Sequence, residues 1–452
     1  MHLCEALQVR KGEVVSFVGA GGKTTAMYRL GHELAAQSWR VITTTTTMIR
    51  PPSPEQTPAL LVERNPRRVL RQAREALLHK RLVTVASEQL ETENKLKGID
   101  PGLVTEFVEL ADAVLIEADG AKGRSVKAPA AHEPVVPSES TLLVPVVGID
   151  AVGRRLSEET VHRPDLVAEL TGLGRGQLIS TSMLAGLLLH PQGALKGAPA
   201  GARVMPLINK VLDEVTLEAA REVAGSIKGN RSLARVLVGA VAADDPVIEC
   251  WRRVSAVVLA AGESKRFGCP KQLLPVAGTT MLEHVLHAIR TTSLDEIVVV
   301  VGHSAGQIGR YIPSWCRMVL NEDWRAGISS SIRAGLEAVD HKAEAALFIL
   351  ADQPLITGAG IDRVLQAYYG HMKPVVVPVH QEQRGTPVLF DRCLFAALKS
   401  LRGDVGGRQI LARFADEVLA VEMPSPEMFL DIDTPADYDR FLSTHKGADV
   451  TA

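Results

Sequence analysis

The stretch Leu259-Ala260-Ala261-Gly262-Glu263-Ser264-Lys265-Arg266-Phe267-Gly268-Cys269-Pro270-Lys271-Gln272 constrains the fold more than any other part of the chain. It follows Val254 to Val258, a short β-branched run that reads as a buried strand. Small residues after a strand let the loop backbone approach a ligand, with its amides turned toward a base or phosphate. Arg266 and Lys271 set two fixed positive charges beside that loop, as a nucleoside triphosphate requires. Leu259, Ala260, Ala261, Gly262 and Ser264 are therefore candidate nucleotide contacts, and Arg266 and Lys271 candidate catalytic cations.

A second strand and glycine loop open the chain. Val14-Val15-Ser16-Phe17-Val18 leads into Gly19-Ala20-Gly21-Gly22-Lys23-Thr24-Thr25, and an amphipathic helix is expected over Ala26 to Gln37. Strand, glycine loop and Lys-Thr make a P-loop pattern, with Gly19, Gly21, Gly22, Lys23, Thr24 and Thr25 as phosphate contacts. Phe17 stands where the ordinary pattern has its first glycine, so the loop is a shortened version. ATP or GTP is the expected nucleotide there. The apolar run Ala113 to Ile116 ends in Glu117-Ala118-Asp119, the arrangement in which a strand-tip acid holds Mg²⁺, and Asp119 is the favoured ligand. The run Thr43 to Thr47 reads either as a polar strand end or as a lining of the phosphate crevice. Arg64 to Leu78 is expected as a surface helix, and Lys127, His132, Glu133, His162 and Arg163 sit in loops. Asn209-Lys210-Val211-Leu212-Asp213 is similar to a guanine-reading motif, with its acid one residue late.

At 452 residues the chain is too long for one core. Ala242 to Pro246 breaks the strand pattern, so a domain is expected over 1–245, a linker over 246–252 and a second domain over 253–445. Alternating strands and helices make both domains doubly wound α/β, the first P-loop-like and the second Rossmann-like. A formal net charge of −2 argues against general nucleic-acid binding. No apolar run approaches the roughly 20 residues that cross a bilayer, and the start carries no signal-peptide pattern. The five cysteines are scattered without a Cys-x-x-Cys pair, which fits a reducing cytoplasm.

The second half carries further acids. Ala345 to Leu350 is an apolar strand that delivers Asp352 to its tip, and Phe429-Leu430-Asp431-Ile432-Asp433 places two more carboxylates on one face if extended. Oxygen donors from separate segments suit Mg²⁺, which keeps water and phosphate ligands, so Asp352, Asp431 and Asp433 are the metal candidates. Asp433 before Thr434-Pro435 also reads as a helix cap. The hydroxyls of Ser329 and Ser330 suit either phosphate recognition or capping. Arg384 and Arg408, in separate glycine-bearing loops, would clamp an anionic acceptor.

The glycine loop, the threonine run, Glu117 to Lys122 and His132-Glu133-Pro134 together resemble the YqeC-type accessory proteins of selenium-dependent molybdenum hydroxylases. This resemblance spans about residues 1–245 and implies nucleotide binding in the maturation of a client hydroxylase. Residues 253–443 resemble the MobA/MocA-like nucleotidyltransferases, nearest the molybdenum-cofactor cytidylyltransferase branch. The resemblance implies CTP and molybdopterin-bound molybdenum as substrates, with pyrophosphate released. Ala260-Ala261-Gly262 is similar to the CTP-using branch, whereas Thr386 departs from the histidine common before Pro-Val. Two other readings stay open: transfer from GTP or to a sugar phosphate, and a nucleotide-dependent maturation chaperone without transferase activity.

Overall fold

A computed structural model describes residues 1–444. The chain divides into two compact units, Met1–Trp251 and a second beginning at Arg252. Each is a mixed α/β fold around a largely parallel sheet.

Across the first sheet the strands run Val247–Trp251, Val236–Gly239, Leu207–Asn209, Leu142–Gly148, Glu13–Gly19, Ala113–Glu117, Val41–Thr45, Leu82–Ala86 and Leu60–Val62. Only the pairing of Val247–Trp251 along this order is antiparallel. Period-two alternation sends neighbouring side chains to opposite faces, and both faces are covered. Val15, Phe17 and Leu115 pack with Leu3, Leu7, Met27, Leu30 and Leu34 on one side. Val14, Val114 and Ile116 pack with Val69, Leu77 and Phe107 on the other. At about 1.5–3 kcal/mol for each fully buried large aliphatic, these two layers are the main stabilising term of the unit. The helix expected over Arg64 to Leu78 spans Pro66–His79, capped by Asn65 Oδ1 accepting from the Arg68 amide, and it buries Val69, Ala73 and Leu77.

The residues expected as a linker are not one. Val247–Trp251 is an edge strand of the first sheet, and its start is tied to the Met1 ammonium, which donates to the Val247 carbonyl at 2.9 Å. The boundary falls one step later, where Arg252 is buried in the second unit over the Tyr368 ring and donates to the Tyr368 carbonyl at 2.7 Å.

In the second unit the order is Arg317–Leu320, Glu296–Val301, Val254–Ala260, Ala345–Leu350, Val388–Asp391, Val375–His380 and Gln383–Arg384. The first four are parallel, so their C-terminal ends share one edge. Val388–Asp391 runs antiparallel to its neighbours, which makes this sheet mixed. Asp431 and Asp433 do not lie on a strand. Their segment follows a short 3₁₀ turn at Glu427–Phe429 and is pinned by the Ile432 amide, which donates to the Asp352 carbonyl at 3.1 Å.

Candidate functional site

The strands Val254–Ala260 and Ala345–Leu350 are adjacent, with Leu259 opposite Leu350. Their loops therefore leave the sheet side by side. Lys271 Nζ lies 2.5 Å from Asp352 Oδ2 and 2.9 Å from Asp433 Oδ1. The backbone behind the lysine is fixed. Ser264, held at a φ of 55°, accepts from the Lys271 amide at 3.1 Å, and the buried Gln272 side chain donates to the Ala260 carbonyl at 3.3 Å. Burial alone would lower the Lys271 pKa, but Asp352 and Asp433 outweigh it and hold the ammonium charged.

These groups open into a crevice of about 1070 Å³ at the C-terminal edge of the parallel strands. Leu259, Ala261, Gly262, Ser264 and the exposed Arg266 line it, with Lys271, Asp352 and Asp433 at one end. Ala260 is wholly buried and does not line it; its carbonyl instead anchors Gln272. Trp324, Arg325, Gly327 and Ser331, from the polar loop and helix start that follow Asn321, line it as well. Gly327 has a φ of 92°, and a Cβ there would meet the Gly403 carbonyl carbon at 2.5 Å, so only glycine fits.

A second crevice, of about 670 Å³, shares Leu259, Ile328, Leu350 and Asp404 with the first. Arg384, Arg408, Gln353, Thr386 and Asp431 line it. Gln353 Nε2 donates to Asp431 Oδ1 at 2.9 Å, and Gln353 Oε1 accepts from the Thr386 hydroxyl at 2.6 Å. Burial, then the Asp352 charge, raises the Asp431 pKa. The two acids that shared one role in the sequence pattern thus face different crevices.

Among the described residues no three His, Cys, Asp or Glu side chains gather as a metal cluster. Two carboxylates do converge. A cation already stands between Asp352 and Asp433, and Asp352 Oδ1 is buried with no hydrogen-bond partner. That donor set fits a hard divalent cation whose remaining ligands are phosphate and water. Asp433 is not the helix cap: the Thr434 hydroxyl accepts from the Asp437 amide at 3.2 Å, which leaves the Asp433 carboxylate to Lys271. Ser329 and Ser330 serve neither expected role, because their hydroxyls donate to the Gly403 and Gly327 carbonyls.

In the first unit Gly19, Gly21 and Gly22 have φ of 91°, 86° and 124°, and the helix begins at Lys23. Lys23 Nζ donates to the Gly19 carbonyl at 2.6 Å and lies 3.2 Å from Asp119 Oδ1. Asp119 is the expected Mg²⁺ ligand, but it is Glu117 that stands beside the Thr24 hydroxyl, with Thr24 Oγ1 donating to Glu117 Oε2 at 2.6 Å. Asp119 is enclosed instead by the Gly19 amide at 3.1 Å, Lys23 and Lys127, whose Nζ is 2.9 Å away. The strand ends at Glu117, and Asp119 lies two residues beyond that end. Burial raises the Glu117 pKa despite Lys23 and Thr24.

Lys127 also pairs with Glu133 at 2.8 Å, and Arg163 caps Glu133 from the other side. Burial would raise the Glu133 pKa, but the hydrogen bonds from Arg163 and Lys127 bring it down to about 2. His132 and Thr25 are exposed. The threonine run is structural: Thr43 bonds Thr84, Thr44 donates to the Val85 carbonyl, and Thr45 donates to the Glu117 carbonyl at 2.8 Å. Asn209 donates to the Gly21 carbonyl at 2.7 Å and so buttresses the loop, while Asp213 caps the helix Glu214–Ile227 rather than facing a base.

Residues 15–165 match the model of the YqeC protein family, and residues 256–418 match the MobA-like NTP transferase domain. The uncharacterized protein YqeC of Escherichia coli (strain K12) is 34% identical over 209 residues, covering 44% of this chain and 77% of that protein. Nicotine blue oxidoreductase of Paenarthrobacter nicotinovorans is 32% identical over 202 residues, covering 42% of this chain and 96% of that protein. The chain belongs to both families, one in each unit. Rv0371c from Mycobacterium tuberculosis H37Rv, a solved structure, is 32% identical and covers 42% of this chain and 98% of its own, with a TM-score of 0.39. The paired crevices belong to the NTP transferase unit, which makes the chain a nucleotidyltransferase. The glycine loop and its charge cluster belong to the YqeC unit. No helix among the described residues is long and apolar enough to cross a membrane.

Proposed function

We propose that the NTP transferase unit transfers the cytidylyl group of CTP to molybdopterin-bound molybdenum, giving the cytosine dinucleotide form and pyrophosphate. The observation that carries this reading is the convergence of Lys271, Asp352 and Asp433 at the end of a crevice lined by Leu259 to Arg266. CTP lies in that crevice, its triphosphate reaching Arg266 and Lys271. The acceptor lies in the second crevice, its anionic groups met by Arg384 and Arg408. A terminal phosphate oxygen of the acceptor attacks the α-phosphorus, and the bond from that phosphorus to the β-bridging oxygen breaks. The electron pair leaves with pyrophosphate, whose charge Arg266 and Lys271 stabilise.

No side-chain nucleophile is required, because the acceptor phosphate is already ionised. Asp352 and Asp433 would hold Mg²⁺, which would supply neutralisation of the phosphate charge. The remaining work is positioning, since the two crevices meet at Leu259, Ile328, Leu350 and Asp404. The Ala260-Ala261-Gly262 form of the loop resembles that of the CTP-using branch, and this resemblance supports CTP over GTP.

In the YqeC unit the positive-φ glycines, Lys23 and Thr24 support a shortened P-loop that takes ATP or GTP, with Glu117 and Thr24 toward its metal. Its role would be nucleotide-dependent handover of the finished cofactor to a molybdenum hydroxylase. The test is incubation with each NTP in turn, Mg²⁺ and molybdenum cofactor, followed by identification of the nucleotide on the product. CMP on the product with pyrophosphate released supports the reading, while GMP moves it to the guanylyl branch. The similarity to nicotine blue oxidoreductase supports a second reading, redox chemistry at the same crevices. Oxidation of a supplied hydride donor coupled to reduction of a second substrate, without pyrophosphate release, would establish it.

A further inference from the structure

We propose that Lys271 is a built-in cation that occupies the metal position until a nucleotide arrives, so that the divalent metal enters with the triphosphate and not before it. This rests on the reading that Asp352 and Asp433 hold the metal.

The ammonium contacts one oxygen of each carboxylate, at 2.5 and 2.9 Å, and its side chain is only 15% exposed. A dication directed at the same pair would meet a positive charge already within bonding distance of both. In the free protein the metal therefore has to displace Lys271, and beyond the single carboxylates of Glu263 and Asp404, which also line the crevice, the displaced ammonium has no polyanionic counter-ion to move to. With a triphosphate in the crevice it gains one. Arg266 and the backbone from Ala261 to Ser264 line that same crevice, so the phosphates lie within the sweep of the lysine side chain.

The root of the lysine stays still during such a swing. Its amide is held by Ser264, the Lys271–Leu273 turn follows directly, and Gln272 is buried. Only the flexible four-carbon stem has to move, which is the property that separates lysine from arginine at such a site. Moving the ammonium exposes Asp433 Oδ1 and Asp352 Oδ2 together, because one group covers both. Nucleotide and metal thereby bind cooperatively without any change in the backbone.

The test is a Mn²⁺ titration followed by electron paramagnetic resonance, on the full chain with and without CTP and without acceptor. Wild-type protein is expected to bind Mn²⁺ weakly alone and about tenfold or more tightly with CTP. Lys271→Met is expected to bind Mn²⁺ about tenfold more tightly than wild type in the absence of CTP and to lose most of the CTP effect. Lys271→Arg keeps a cation in place and is expected to remain weak alone. The tightening in Lys271→Met must vanish in the double variant Lys271→Met, Asp352→Asn, which assigns it to this pair of carboxylates. Equal Mn²⁺ affinity in Lys271→Met and wild type, both without CTP, overturns the proposal. Should Asp352→Asn with CTP bind Mn²⁺ as tightly as wild type with CTP, the metal reading itself fails, a separate result.

Discussion

Gln353 follows Asp352, which lines one crevice, and its side chain donates through Nε2 to Asp431, which lines the other, at 2.9 Å. The same amide accepts from Thr386, and the residue is 2% exposed. A buried amide bonded at both ends leaves its partners unsatisfied when it is removed. Both bonded partners line the second crevice, so this one side chain braces that crevice directly behind Asp352 in the chain.

Gln353→Leu keeps the volume and removes both bonds. Its expected effect is on the acceptor side, with KM for the acceptor rising about tenfold while KM for the nucleotide changes little. Steady-state kinetics with each substrate varied in turn checks this. An equal rise in both constants would show that Gln353 supports the unit as a whole and not the acceptor crevice.

Asp352→Asn removes a carboxylate charge and leaves the side chain its shape. Pyrophosphate release is expected to fall by about 10²–10³-fold, the scale on which preorganised electrostatic groups act. CTP binding, followed by calorimetry, should persist because Arg266 and Lys271 remain. A variant within tenfold of wild type would remove Asp352 from the reaction.

Gly21→Ala probes the other unit. A Cβ at this position would come within 2.3 Å of the Gly148 amide nitrogen, and the backbone sits at a φ of 86°. The Gly148 and Ser125 atoms it would meet are all backbone and cannot yield, so the expected loss is about 1–3 kcal/mol in denaturant unfolding. Gly120→Ala is the control, because nothing lies within 4 Å of its added Cβ and its φ is not positive. That change should stay within about 0.5 kcal/mol.

His162 carries a pH prediction. Burial, then the charges of Arg163, Lys127 and Lys122, push its pKa down from 6.5 to about 4. Between those two values the unfolded chain holds a proton that the folded one does not. Stability therefore falls as pH drops through this window, and it is unaffected by His162 above it. Comparing denaturation midpoints at about pH 7 and about pH 5 should give a smaller acid loss for His162→Gln than for wild type. A His162 NMR resonance titrating near 6.5 would sink the assignment.

Much of this architecture was legible in the residues. Strands such as Glu296–Val301 and Ala345–Leu350 carry unbroken β-branched or aliphatic runs, and their ends agree with the sequence pattern. The helix Met281–Arg290 declares itself through the Thr280 to Glu283 capping box. Val247–Trp251 was hidden by the Asp244-Asp245-Pro246 break before it, since the edge strand gains its bonds from Val236–Gly239 and from Met1, far away in sequence.

The candidate sites divide along the same line. Local spacing by itself determined that glycine loops follow Val18 and Leu259, and that acids end the strands at Glu117 and Leu350, because those signals lie within a few consecutive residues. Only the tertiary structure decided which acid does what. Asp433 meets Lys271 across 162 positions, Asp431 turns to Gln353, and Glu117 rather than Asp119 meets Thr24. Spacing along a strand tells which face a carboxylate shares with its neighbour. Which cation waits on that face depends on loops from distant parts of the chain, brought there by burial of the sheets beneath them.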